Sequence, residues 1–173
     1  MKMNFPRVLI FLLAIFILSI FLFSLNKIKI YDTKNLVGQN INTFELKYLN
    51  SEEKINEKLL KNNRFTLINF WASWCAPCRA EHKYLIKIKK NTQNLKILGI
   101  NFKDKDDEAK KFLSEFGNPY HLLAQDSDGK MSINFGIYGI PESILIDQRL
   151  RIIKKFIGPI NSEDYKIILK LTE

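Results

Sequence analysis

The longest hydrophobic feature of the chain is an apolar run near its start, from Val8 to Leu25, which only two serines interrupt. A helix over this run would be about 27 Å long at ~1.5 Å per residue, close to the roughly 30 Å of a bilayer's hydrocarbon core. No small-x-small pattern typical of a signal-peptide cleavage site follows the run. We therefore predict an uncleaved membrane anchor over residues 1–30 and a folded domain over residues 31–173.

Beyond this run, hydrophobic positions follow the periods of strands and helices in turn. The stretch from Thr66 to Trp71 is apolar enough for a buried strand, and Leu95 to Ile100 indicates another. Helical spacing follows each of them, whereas the tail carries two strand patterns in succession, as in antiparallel pairing. The pattern predicts an α/β domain with a mixed central sheet. Its other predicted elements are a first strand over residues 38–46, a short helix from Ser51, strands over residues 143–146 and 152–156, and a final helix after Asn161.

The only two cysteines stand between the first buried strand and a helix, in the order Cys75-Ala76-Pro77-Cys78. A cysteine at the first turn of a helix is favoured as a thiolate by the helix dipole and by the free N–H groups there. Because the two residues lie one turn apart, their Cα atoms can approach the ~5.5–6 Å of a disulfide. The spacing predicts a redox pair, with Cys75 as the nucleophile and Cys78 as the resolving thiol.

Three other uses of a CxxC pair fit this sequence less well. A structural disulfide that closes so short a loop constrains the unfolded chain little. A zinc site needs about four ligands, and only His82 and His121 could complete one. Covalent haem attachment requires a histidine directly after the second cysteine, where Arg79 stands. The first two uses remain alternatives, and the third is excluded.

The formal net charge of +9 raises the question of a nucleic-acid partner. The lysines are spread over the predicted helix faces among acidic residues, and no basic block with interleaved aromatics occurs. We therefore expect a solvated basic surface and no nucleic-acid binding. Attraction of an acidic partner or of anionic lipid is the alternative use of this charge.

The tryptophan-led CxxC of residues 74–78, with its aromatic strand, resembles the thioredoxin superfamily. The resemblance continues in order through residues 99–104, 116–120 and 136–143 and reaches Gly158-Pro159. Together these motifs resemble the membrane-anchored CcmG/DsbE family, which serves cytochrome c maturation. The resemblance implies a thioredoxin fold, with helices flanking a mixed sheet and an extra inserted helix, behind a single N-terminal transmembrane helix.

The resemblance also implies roles for residues around the cysteine pair. Pro141 matches the cis-proline that thioredoxins place opposite the CxxC, and a cis peptide bond is a specific structural feature. Trp74, Tyr138 and Ile140 are expected, with Pro141, to border Cys75. An extended target segment would pair there with the Ile140 backbone, as in strand addition.

Proton transfer during thiol-disulfide exchange requires a base. The position of the buried aspartate of thioredoxin is Asn69 here, which cannot titrate. Glu81 and Glu142 match acidic positions of the CcmG/DsbE family and are the candidate catalytic carboxylates, although each would otherwise be a solvated surface group. A carboxylate near the pair would raise the pKa of the cysteine thiols and could accept a proton. His82 is expected at the surface.

The predicted function is reduction of the CxxCH disulfide of apocytochrome c by a membrane-tethered thiol:disulfide oxidoreductase. No cofactor is expected beyond the Cys75–Cys78 disulfide. The resemblance implies a membrane thiol reductant as electron donor and the cytochrome maturation machinery as partner. Since lysines flank the apolar run on both sides, the resemblance alone places the domain on the periplasmic side of the cytoplasmic (inner) membrane. Two alternatives are a general extracytoplasmic oxidoreductase and a copper metallochaperone, for which CxxxC spacing is expected.

Overall fold

A computed structural model describes residues 5–25, 36–49 and 51–173 of the chain. The chain divides into two units, residues 1–32 and 33–173. The first unit contains helix α1 (Phe5–Leu25). Within these described ranges, no helix combines the length and the apolar character needed to cross a membrane. The membrane anchor over residues 1–30 stays a prediction, and residues 1–4 and 26–35 lie outside the described part.

The second unit is built on seven strands that form one sheet. Its strands are β1 (Glu45–Tyr48), β2 (Lys54–Asn56), β3 (Phe65–Trp71), β4 (Leu95–Phe102), β5 (Leu122–Asp126), β6 (Glu142–Asp147) and β7 (Ile152–Ile157). Its helices are α2 (Glu57–Leu60), α3 (Ala76–Asn91), α4 (Asp106–Phe116), α5 (Lys130–Asn134) and α6 (Ser162–Thr172). The strand order across the sheet is β2-β1-β5-β4-β3-β6-β7.

The sheet is mixed, as predicted. The central strands β3, β4 and β5 run parallel, because α3 and α4 provide the crossover connections between them. On either side the pairing is antiparallel, with β1 and β2 beyond β5 and with β6 and β7 beyond β3. The predicted parallel arrangement is therefore confirmed for β3 to β5, and the predicted antiparallel tail for β6 and β7, whereas β1 and β2 in the first half pair antiparallel.

Alternate residues of β3 divide the core into two clusters, one on each face of the sheet. Leu67 and Trp71 belong to the cluster that includes buried residues of α3, α4 and α6. Ile68 and Phe70 belong to the cluster that α2 and the region around α5 cover. Since side chains alternate along a strand, Asn69 faces α3 together with Leu67 and Trp71. This face carries the cysteine pair.

Two predicted boundaries near the start of the domain are wrong. The short helix predicted from Ser51 begins only at Glu57, because the residues before it form β2. Ile55 of β2 is fully buried and pairs with Leu46 of β1. A residue in a helix could not make this strand pairing. The first regular strand begins at Glu45, so the strand predicted over residues 38–46 is mostly irregular chain.

Candidate active site

The cysteine pair lies where β3 ends and α3 begins. Cys75 is the N-cap of α3, with an extended backbone, and a proline occupies the first turn. The Cys78 N–H donates to Cys75 Sγ over 3.2 Å, and it is one of the N–H groups that a helix leaves free at its start. The two sulfurs form a disulfide, with Cα atoms 5.3 Å apart. The predicted redox pair is present, and it lies at a helix N-terminus.

Exposure does not separate the roles of the two cysteines, since Cys75 is 4% exposed and Cys78 3% exposed. Their positions on the helix do separate them. A negative charge on Cys75 Sγ would receive the Cys78 N–H and the positive end of the α3 dipole. Cys78 lies within the helix, whereas Cys75 is its N-cap, and both cysteines belong to the core cluster on this face of the sheet. These contacts favour Cys75 as the thiolate nucleophile, which stays a prediction.

The loop between α5 and β6 lies opposite the disulfide. The Ile140–Pro141 peptide bond is cis, as predicted. The carbonyl oxygen of Ile140 lies 3.7 Å from Cys75 Sγ. A disulfide sulfur carries no proton, so this is a van der Waals contact, and only a reduced thiol could donate across it. Pro141 is buried, and the cis bond before it leaves the Ile140 carbonyl facing the sulfur.

Two exposed aromatic rings belong to the segments that meet at this contact. Trp74 directly precedes Cys75 and is 58% exposed, and its indole N–H donates to the Lys103 carbonyl over 3.1 Å. Tyr138 belongs to the loop that carries Ile140 and is 59% exposed. The predicted target-binding residues thus lie on the two segments that approach each other at Cys75 Sγ.

The residue two positions before Cys75 is held by groups that the sequence did not single out. The Ser73 N–H and hydroxyl donate to the two carboxylate oxygens of Asp104, over 2.6 and 2.8 Å. The Ser73 carbonyl accepts from Arg79 Nη2 over 3.1 Å. Lys103 has a φ of 44°, in the left-handed region, and its carbonyl accepts the Trp74 indole N–H. The β4–α4 connection therefore holds the segment before the disulfide at two points.

Glu81 is buried beneath the cysteine pair in a network of polar groups. Its carboxylate accepts from Asn69 Nδ2 and from the Ile160 N–H, each over 2.8 Å. Asn69 Nδ2 also donates to Ser143 Oγ, and Asn69 Oδ1 accepts from the Tyr120 hydroxyl over 2.9 Å. Because Tyr120 occupies the amide oxygen, the NH₂ group of Asn69 is directed to Glu81. Asn69, which cannot titrate, therefore holds the carboxylate of Glu81, which can.

Burial has a large effect on the acidity of this carboxyl. Glu81 is 1% exposed, and desolvation raises its pKa from 4.5 to about 7. The hydrogen bonds from Ile160 and Asn69 act in the opposite direction, because they favour the ionised form. A carboxyl with a pKa near 7 can both accept and return a proton at neutral pH. Because Glu81 is buried, the alternative that it is a solvated surface carboxylate is wrong.

Glu142, the other candidate carboxylate, is also buried but is engaged differently. Its Oε2 lies 2.7 Å from Lys155 Nζ, and the two side chains are 5% and 3% exposed. Its Oε1 accepts from the N–H groups of Tyr138 and Gly139, over 3.2 and 3.3 Å. Along β6 it alternates with the residues that face α3, so its side chain lies on the other face of the sheet. Because Glu142 is buried, the alternative that it is a solvated surface carboxylate is also wrong.

His82 is buried, and its predicted surface position is therefore wrong. It is 6% exposed, because the aromatic side chains of α4 cover it, with the Phe112 ring in an edge contact at 5.0 Å. His82 Nε2 lies 2.8 Å from the Gly117 carbonyl oxygen. Burial lowers its pKa, so the ring is held neutral as a packing and capping group. In the part of the chain that the structure describes, no three histidine, cysteine or acidic side chains are grouped as metal ligands.

Comparisons with known proteins agree with this geometry. Residues 36–169 match the family model described as Redoxin. The thiol:disulfide interchange protein HelX of Rhodobacter capsulatus is 38% identical over 128 residues, which cover 74% of this chain and 72% of that protein. The thiol:disulfide interchange protein DsbE of Vibrio cholerae is 37% identical over 131 residues, 76% of this chain and 70% of that protein.

Solved structures show the same fold. The thioredoxin domain of a thiol-disulfide oxidoreductase from Bacteroides vulgatus superposes with a TM-score of 0.69 at 21% identity, over 79% of this chain and 98% of that one. A putative DsbE from Chlorobium tepidum gives 0.67 at 22% identity, over 78% and 94%. The predicted thioredoxin fold is confirmed. With a disulfide at the start of α3 facing a cis-proline loop, the chain belongs to the Redoxin family and is a thiol:disulfide oxidoreductase related to the DsbE and HelX interchange proteins.

Proposed function

We propose that this protein reduces the CxxCH disulfide of apocytochrome c before haem is attached. The observation that carries the proposal is the Cys75 sulfur at a helix N-terminus, 3.7 Å from the carbonyl that precedes a cis-proline. The choice of apocytochrome c comes from the resemblance of the motifs to the CcmG/DsbE family. An unfolded apocytochrome suits this site because its cysteine loop is accessible as an extended segment before haem binds.

The exchange proceeds in two steps that conserve electrons. The Cys75 thiolate attacks one sulfur of the target disulfide, which releases the other target sulfur as a thiolate and forms a mixed disulfide. The Cys78 thiolate then attacks Cys75, which frees the second target sulfur and closes the Cys75–Cys78 disulfide. Two electrons pass to the target, and its two thiolates take up protons. A membrane thiol reductant then returns the pair to the dithiol.

Within this scheme Glu81 is the carboxylate that takes the proton from Cys78. It lies on the same face of α3 as Cys78 and one turn after it, and its pKa of about 7 suits that transfer. Glu142 is less suited, because a buried ion pair with Lys155 already neutralises its charge. Trp74 and Tyr138, both exposed, offer apolar surface to the target.

We expect a strain that lacks this protein to lose holocytochrome c and to regain it when a small thiol reductant is added, because the defect is one oxidised cysteine pair in the substrate. The measurement is haem staining of membrane and periplasmic fractions. The full chain restores the cytochrome, whereas its Cys75→Ser variant does not. Normal cytochrome c together with many misfolded secreted disulfide proteins would instead favour the general oxidoreductase.

The proposal includes attachment of the chain to the cytoplasmic membrane through α1, with the domain on the periplasmic side. Its support is the apolar run itself and the large apolar side chains between Leu9 and Phe23 of α1, which are between 51% and 69% exposed. An apolar surface of this kind is stable in water only when something covers it. The cytochrome maturation machinery and the membrane thiol reductant would meet the domain at that membrane.

We expect the full chain to sediment with membranes and to resist extraction by alkaline carbonate, because the apolar helix holds it in the lipid. A matched variant with Leu13→Lys and Ile17→Lys should become extractable, because two buried charges are costly at that depth. Protease added to spheroplasts should digest the domain. Protection of the domain until the cells are lysed would contradict the periplasmic orientation.

A further inference from the structure

Lys155 is a buried cation on the outer strand β7. Its side chain is 3% exposed. Its Nζ donates to the Gly136 carbonyl over 2.7 Å, pairs with Glu142 Oε2 over 2.7 Å, and lies 5.7 Å from the centre of the Tyr138 ring. Burying an unpaired ammonium group would be costly, so these contacts are needed to keep the charge there. Two of them are made to one loop, residues 136–139.

Glu142 contacts the same loop from the start of β6. Its Oε1 accepts the N–H groups of Tyr138 and Gly139, while its Oε2 holds Lys155. The ion pair therefore binds the loop through carbonyl and N–H groups at once. Ile140, whose carbonyl faces Cys75 Sγ, follows directly after this held segment. A small displacement of residues 136–139 would move that carbonyl.

We propose that Glu142 and Lys155 form a clamp that positions the Ile140 backbone for pairing with the target segment, and that they determine affinity for extended protein targets. This inference rests on the proposed reduction of protein disulfides. Both are positioning residues, since neither needs to touch the reacting sulfurs. A hydrophobic pair would be cheaper to bury, so a buried ion pair with these backbone contacts fits a role in holding one loop conformation.

The clamp and the disulfide are held by different parts of the fold. Cys75 and Cys78 lie on α3, and Asp104 holds Ser73 before them, all on the face of the sheet opposite the Glu142 side chain. Loss of the clamp should therefore weaken binding of a peptide target more than it slows exchange once the target is bound. A separation of KM from kcat is the expected signature.

The test measures reduction of a peptide that contains an oxidised CxxCH loop, by the full chain in detergent. We expect Lys155→Met to raise KM on the order of tenfold with little change in kcat, because the loop loses the Lys155 Nζ contacts to the Gly136 carbonyl and the Tyr138 ring. Lys155→Arg should restore much of the affinity. Lys154→Met is the matched control, because that side chain lies over the Phe156 ring and away from the loop, and its KM should equal that of the wild type.

Two further measurements make the result decisive. If Lys155→Met fails to fold, the double variant with Glu142→Gln and Lys155→Met leaves no unpaired buried charge, and it should fold with the same raised KM. An unchanged KM in a folded clamp variant would overturn the proposal. A second combination of results would also overturn the proposal. If Glu142→Gln shifts the thiol titration curve while Lys155→Met keeps a normal KM, Glu142 acts as a proton acceptor and not as a positioning residue. Failure of the wild type to reduce the peptide would instead reject the proposed function.

Discussion

Replacing Cys78 by serine is expected to leave Cys75 covalently joined to its target. Without the resolving thiol, the mixed disulfide formed by Cys75 has no internal route to release, because Cys78 is the only other cysteine of the chain. Turnover should fall to the level of the uncatalysed exchange. The trapped species should appear on non-reducing gels as a reducible band at the summed mass of the protein and its target.

The complementary variant gives the control. Cys75→Ser removes the sulfur that lies at the helix N-terminus and against the Ile140 carbonyl. It should trap no target, although it retains one thiol in the same helix. Trapping by Cys75→Ser and not by Cys78→Ser would reverse the assigned roles. Such a reversal would show that the N-terminal position on α3 does not decide which sulfur attacks.

Replacing Glu81 by glutamine is expected to remove a pH-dependent step near pH 7 from the rate of target reduction. Burial raises the pKa of Glu81 to about 7, so the wild-type carboxyl ionises in this range and can then accept the Cys78 proton. The variant should be on the order of 10²-fold slower at about pH 8, because general-base assistance is lost. Single-turnover rates against pH measure this, with the exposed Glu115→Gln as control.

The same substitution should change how stability depends on pH. The folded pKa of Glu81, about 7, lies above its unfolded value of 4.5, so between these two values the native state binds more protons than the unfolded state. The free energy of unfolding should therefore fall by about 3 kcal/mol as the pH rises through this window, and change no further above it. Urea unfolding of the oxidised Glu81→Gln protein should lack this decrease. An identical decrease in the variant would show that Glu81 ionises as an ordinary surface carboxyl.

Features that depend on neighbouring residues were predictable. Cys75 and Cys78 follow an apolar strand and begin an amphipathic helix, so the redox pair and its position on α3 could be inferred from spacing. The cis bond before Pro141 followed from the resemblance of its segment to a thioredoxin motif. Parallel and antiparallel parts of the sheet followed from the order of strand and helix patterns. Each of these signals lies within a few residues of the feature that it predicts.

Other features could not be predicted, because they depend on pairings between distant segments. Ile55 was placed in a helix because its spacing allowed one, whereas pairing with β1 made it part of a strand. The sequence predicts His82 at the surface, whereas in the fold the aromatic residues of α4 cover it. No sequence pattern indicates that Lys155 is buried, since a lysine on an outer strand is usually solvated.

The sequence by itself determined the redox chemistry of this protein, because a CxxC at a strand-to-helix junction is a local arrangement that few other sites share. Only the tertiary structure decided that burial raises the pKa of Glu81 to about 7 and that Glu142 forms a buried ion pair. By sequence, both Glu81 and Glu142 are candidate proton acceptors beside functional motifs, and the resemblance favours Glu142. The sheet separates them, since Glu81 lies on the buried face of α3 against the Asn69 amide and Glu142 lies on the opposite face of the sheet against Lys155. The acidity of a carboxyl is decided by desolvation and by the charges that the fold places within a few ångströms of it.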